Sequence, residues 1–119
     1  MRTVVIESPY AGDVATNLRY LRACMRDCLL RGESPYASHA LYTQEGVLRD
    51  DVPEERKLGI EAGFVWRAAS SATVVYEDLG YSSGMVLGIK AAEAMGHPVE
   101  IRRLGGEWSR VLDRSDSDS

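Results

Sequence analysis

The sequence predicts a small open α/β sandwich built on a parallel sheet. Three observations predict it. The β-branched apolar runs "TVVIES" and "ATVVYED" read as strands buried on both faces. Stretches with helical hydrophobic spacing lie between the strand-like runs. Strands that alternate with helices pair in parallel, because each helix carries the chain back across the sheet. The chain has 119 residues, room for one such domain around one core.

The first strand spans Thr3 to Ser8 and is broken by Pro9 and Gly12. Asp13 caps the helix that follows. Val14, Leu18, Leu21, Met25 and Cys28 recur at helical spacing on one face of it, and Gly32 ends it. Residues 33–52 are long for a plain connection. Their centre, "YASHALY", reads as a short strand and the rest as an ordered loop of the kind that lines sites. Pro53 opens the next helix, with Glu54 and Glu55 at the positive end of its dipole. This helix is expected to bury Leu58, Ala62, Val65 and Ala69. After "ATVVYED", Ser82 or Ser83 caps a helix whose buried stripe is Met85, Ile89 and Ala92. "VEIRRL" is the last strand, near an edge, and "EWSRVLD" a short terminal helix. Residues 1–112 form one domain, and 113–119 an acidic, disordered tail.

Composition narrows the function. A net charge of -4 argues against an extended nucleic-acid surface, which shows as a basic excess. No apolar run approaches the roughly 20 residues of a membrane span. The start "MRTVVIESPY" lacks a signal-peptide layout, so a cytoplasmic protein is expected. Cys24 and Cys28 are four apart on a helix and far in sequence from His39 and His97. They read as packing residues, and no metal or cofactor is called for.

In such sheets ligands bind outside the carboxyl ends of the strands, where strand order reverses. That rule selects two turns, "ESPYAGD" and "EDLGYSSGM". Both end at helix N-termini, whose unpaired N–H groups and dipole attract anions. Ser8, Pro9 and Tyr10 form the first turn, and Tyr10 either stacks on a base or donates its hydroxyl, or is a surface aromatic packed on the neighbouring loop. Ser82, Ser83 and Gly84 form the second, either as a plain cap or as a cradle for a phosphate. The lysine and spaced glycines of a Walker loop are missing. In the middle loop His39 is a base, a phosphate donor or a satisfied interior histidine, and Tyr42 follows it. Glu77 and Asp78 sit at a strand end, where alternation turns at most one of them into the site. Asp78, nearer the turn, is the candidate acid, base or sugar ligand; the alternative is a turn-forming aspartate ahead of Gly80.

Over residues 3–104 the chain resembles the nucleoside 2-deoxyribosyltransferase-like superfamily, in its branch of small phage and bacterial proteins. The resemblance rests on "ESPYAGD", "YASHALYTQEGVLRDDVPEERKLGIEAG" and "DLGYSSGMVLGIKAAEAMGHPVEIRRL". It implies a Rossmann-like three-layer sandwich with a mainly parallel sheet of four to five strands, and a nucleoside or nucleotide ligand. It implies cleavage or exchange of N-glycosidic bonds through a glutamate that attacks the anomeric carbon. It also implies that Tyr10 orients the catalytic groups, that Asp78 stands near an acidic catalytic position, and that Ser82, Ser83 and Gly84 bind phosphate. A homo-oligomer is implied as well.

One departure bears on the chemistry. The superfamily's nucleophile stands in the pattern glycine, methionine, glutamate, leucine, glycine, and here the stretch is Gly84-Met85-Val86-Leu87-Gly88. Valine forms no glycosyl ester, so the covalent route is closed as written. Three readings follow: an N-glycoside hydrolase or transferase acting on a nucleoside monophosphate with a rearranged carboxylate, Asp78 or Glu77; a non-catalytic nucleotide sensor or sequestering protein; and a scaffold for a protein partner.

Overall fold

The computed structural model describes residues 1–106 and 108. Four strands form one all-parallel sheet in the order β2-β1-β3-β4: β1 (Arg2–Glu7), β2 (Glu33–Tyr36), β3 (Ala72–Tyr76) and β4 (Val99–Arg102). The helices are α1 (Val14–Leu30), α2 (Ser38–Leu41), α3 (Pro53–Ala68) and α4 (Ser83–Ala94). This is the predicted α/β sandwich, Rossmann-like in its three layers.

Alternation along the central strands sorts the layers. Val4 and Ile6 of β1, and Ala72, Val74 and Tyr76 of β3, share a core with Tyr20, Leu21, Cys24 and Cys28 of α1. Their neighbours Glu7 and Thr73 turn to the opposite face, where Arg67 of α3 binds both. α4 covers the same face with Met85, Gly88 and Ala92. The strand order reverses between β1 and β3, so the ligand corner is the rim where those strands end.

Two expectations about elements change. The short middle strand lies earlier than "YASHALY": it is Glu33–Tyr36, in register with Arg2–Val5. Only Tyr36 of that heptapeptide is strand, and Ser38–Leu41 closes into a single helical turn, Tyr42 N–H bonding to Ser38 O at 3.0 Å. On α3 the expected buried stripe faces outward, Leu58 being 56% and Val65 71% exposed. Its buried positions are Gly63 and Arg67. The cause is close approach: a Cβ on Gly63 would meet Ser38 Oγ at 3.0 Å, so α3 lies nearly backbone-close on α2. Of the expected terminal helix only Trp108 is described, its ring edge-on to Tyr20 at 5.2 Å. The boundary at 112 and the acidic tail lie outside the described residues.

Beneath α1 a charge network ties both sheet edges together. Arg102 donates to Glu33 at 2.7 and 2.8 Å, and Arg2 joins Glu33 at 2.9 Å and Glu100 at 2.7 Å. The Arg102 hydrogen bonds hold the Glu33 carboxyl down to about 2 despite its burial. Cys28 belongs to this layer, its sulfur 3.3 Å from Tyr76 Oη.

Candidate functional site

One cavity opens at the carboxyl rim of β1 and β3, between α2, α3 and the start of α4. Its lining includes Ser8, Tyr10, His39, Tyr42, Ser82, Ser83 and Gly84, so the structure brings the two turns and the middle loop together. Pro9 is buried but lies outside the lining.

The first turn leaves the end of β1 and is pinned by α1. Asp13 caps α1, accepting from Thr16 N–H at 3.2 Å. Asn17 Nδ2 donates to the carbonyls of Tyr10 and Ala11 at 2.9 and 3.1 Å, which holds the loop that carries Tyr10. Ser8 Oγ lies 2.8 Å from His39 Nε2. Burial without a charged partner lowers the His39 pKa to about 4. His39 is therefore neutral near pH 7. Thr43 Oγ1 donates to the His39 carbonyl and closes the α2 turn. Tyr42 Oη accepts from Trp66 Nε1 at 3.1 Å, and Tyr42 lines the cavity.

The second turn is a capped helix start. Gly80, at φ +83, turns the chain out of β3 as a residue with a side chain rarely would. Ser82 is the N-cap and accepts from Met85 N–H at 3.2 Å. The first i→i−4 bond of α4 comes from Val86 N–H to Ser82 O, so the amides of Ser83 and Gly84 precede the ladder. Arg56 of α3 stands over this end: its Nη2 lies 4.0 Å from where a Cβ on Gly84 would sit. Its Nε is 3.8 Å from Asp50, which also lines the cavity. Arg56 is exposed at the rim, where it pairs with this acidic neighbour.

Asp78 is the main correction. It lies outside the cavity lining. It continues the alternation of Val74 and Tyr76 onto the α1 face. There it accepts from Tyr20 Oη at 2.5 Å and from the amides of Leu104 and Gly105 at 3.0 Å. Those bonds outweigh its desolvation and lower its pKa. Glu77 is held by Tyr81 and Arg103 at 2.7 Å and is also absent from the lining. Neither acid proposed as a rearranged catalytic carboxylate reaches the site.

Two cavity residues escaped the sequence reading. Glu7, the last residue of β1, is 9% exposed, and Arg67 is 4% exposed. Arg67 Nη2 donates to Glu7 Oε2 at 2.5 Å and Nη1 to Thr73 Oγ1 at 2.8 Å. His97 Nε2 donates to Ser70 O at 2.7 Å, so its Nδ1 accepts from Thr73, and Thr73 in turn accepts from Arg67. Arg67 Nε is buried with no partner among the described residues. Burial raises the Glu7 pKa more than Arg67 lowers it. The signal for Glu7 was a lone acid closing an apolar strand; Arg67 gave none, being one cation among several on a helix.

On α4, Gly84, Leu87 and Gly88 line the cavity, whereas Val86 does not and is 41% exposed. The position where the resemblance places a nucleophile thus turns away from the pocket.

These features define a Rossmann-like α/β sandwich with a cavity at its topological switch point. The chain belongs to a family described as a domain of unknown function (DUF7768), whose model matches residues 2–102. Among solved structures it is similar to a 2-deoxyribosyltransferase from the psychrotolerant bacterium Bacillus psychrosaccharolyticus. The TM-score is 0.61 with 16% sequence identity, over 88% of this chain and 74% of that one. At that identity the likeness is one of fold. No curated protein sequence matches the chain. Among the described residues no helix is long and apolar enough to cross a membrane.

Proposed function

We propose that the chain binds a nucleoside 5′-monophosphate in the rim cavity, with N-glycoside hydrolysis or deoxyribosyl transfer as the associated chemistry. One observation carries this reading: the start of α4, where the Ser83 and Gly84 amides precede the ladder, and Arg56 line the same cavity as Tyr10, His39 and Tyr42. Amides at a helix start and a guanidinium are the donors a phosphate takes. Tyr10 and Tyr42 offer ring surface for a base, and neutral His39 with Ser8 offers hydrogen bonds to the base or sugar. Asp50, now at the Arg56 guanidinium, is the acceptor that a phosphate would replace.

Support also comes from the fold shared with a 2-deoxyribosyltransferase. The reading extends to a cytoplasmic homo-oligomer of the phage and bacterial branch. The outward row of Leu58, Val65 and Trp66 on α3 favours assembly, since such apolar side chains gain from cover.

The test is a thermal-shift panel of nucleosides, their monophosphates, cyclic nucleotides and NAD, with chromatography for free base on each hit. Monophosphates are expected to raise the melting temperature most. A panel in which none shifts it contradicts the reading.

A further inference from the structure

We propose that Glu7 supplies the carboxylate that acts at the anomeric carbon of the bound nucleotide, in place of a carboxylate on α4; the proposal rests on the nucleotide reading above. The first support is position. Glu7 lines the cavity at the end of β1, on the sheet face covered by α3 and α4. Asp78 and Glu77 are tied up elsewhere by Tyr20, Tyr81, Arg103 and backbone amides.

The second is the shape of α4. An ideal Cβ on Gly88 would overlap all three atoms of the Glu7 carboxyl group. The Glu7 carboxylate therefore fills the place where a side chain at position 88 would begin. A glycine mid-helix costs about 0.5–1 kcal/mol relative to alanine, and here it makes room for a charge from β1. This α4 carries no acid toward the cavity: its lining residues are Ser83, Gly84, Met85, Leu87 and Gly88. The sheet thus delivers to this corner the carboxylate that the helix lacks.

The third is restraint. Arg67 holds Oε2, Thr73 accepts from Arg67 and His97 bonds to Thr73, so the carboxyl group is fixed in place. Among the described residues Arg67 is its one hydrogen-bond donor, which leaves Oε1 for a ligand.

The step balances. Glu7 Oε1 takes a proton from water as the water oxygen bonds to C1′. The C1′–N bond breaks, and its electron pair stays on the base nitrogen. Glu7 then returns the proton to the base. A nucleoside monophosphate and water give a free base and a pentose 5-phosphate, while the carboxylate faces the cationic sugar in the transition state.

The experiment uses the full chain and the panel of nucleoside monophosphates, reading base release, affinity and melting temperature separately. Glu7→Gln is expected to cut base release by about 10²–10⁴-fold, the usual contribution of a positioned acid–base group, with affinity changed by less than about threefold. The double variant Glu7→Ala with Gly88→Glu returns an acid to the same corner from α4 and is expected to recover base release above that of Glu7→Gln. That rescue distinguishes a chemical role from a structural one, and it decides the matter if Glu7→Gln fails to fold. Base release by Glu7→Gln at the wild-type rate overturns the assignment. So does a folded, ligand-binding double variant without turnover. A wild type that binds monophosphates but frees no base also overturns it, and leaves the binding reading standing. A wild type that binds none removes both.

Discussion

Replacing Arg67 with methionine is expected to lower the stability of the fold by about 3–5 kcal/mol at pH 8, because it strands a buried carboxylate. Arg67 and Glu7 have side chains 5% and 12% exposed, and each is the other's charged partner. Removing the guanidinium takes away the two influences that lower the Glu7 pKa and leaves desolvation, which raises it. In the folded variant Glu7 then holds a proton that the unfolded chain releases near 4.5. The folded state binds more protons over that interval, so the variant is most stable below pH 4.5 and loses stability as pH rises through the folded-state pKa. Adding Glu7→Gln should remove most of this pH dependence. Urea unfolding at pH 5 and pH 8 checks it, and a loss independent of pH would contradict the pairing.

Asp78→Ala is expected to cost about 2–3 kcal/mol of stability while leaving nucleotide affinity within about twofold of wild type. The Asp78 carboxylate accepts from the Tyr20 hydroxyl and the Leu104 and Gly105 amides, and so ties α1 to the segment after β4. Tyr20 is fully buried, and its hydroxyl would lose the carboxylate acceptor while still accepting from the Asp78 N–H at 2.9 Å. The same bonds put Tyr20 deprotonation out of reach, since burial and the facing carboxylate both raise its pKa. Calorimetric melting with ligand titration separates the outcomes. A large drop in affinity at unchanged stability would return Asp78 to the binding site.

The sheet was legible because its signals are local. β-Branched runs, Pro and Gly punctuation and the Asp13 and Ser82 caps each act within a few residues. The two rim turns followed from the topology those signals imply. What could not be read depends on pairs far apart in sequence. Hydropathy put Leu58 and Val65 of α3 inside, yet that helix buries Arg67, whose partner Glu7 lies 60 residues away. Alternation says that Glu77 and Asp78 take opposite faces, but not which face holds the cavity. That depends on α1 packing under Val74 and Tyr76, which draws Asp78 to Tyr20, 58 residues away in sequence. Gly88 carries no local signal of its role, because the Glu7 carboxylate beside it comes from the other end of the chain.

The central claim is that the start of α4 and Arg56 form a phosphate cradle within the rim cavity. Isothermal titration of one nucleoside and its 5′-monophosphate, against wild type and Arg56→Ala, tests it most directly. The wild type should bind the monophosphate at least about tenfold tighter, equivalent to about 1.4 kcal/mol, and Arg56→Ala should shrink that ratio toward unity. Equal affinities for the two ligands in the wild type, or a ratio untouched by Arg56→Ala, would contradict the claim.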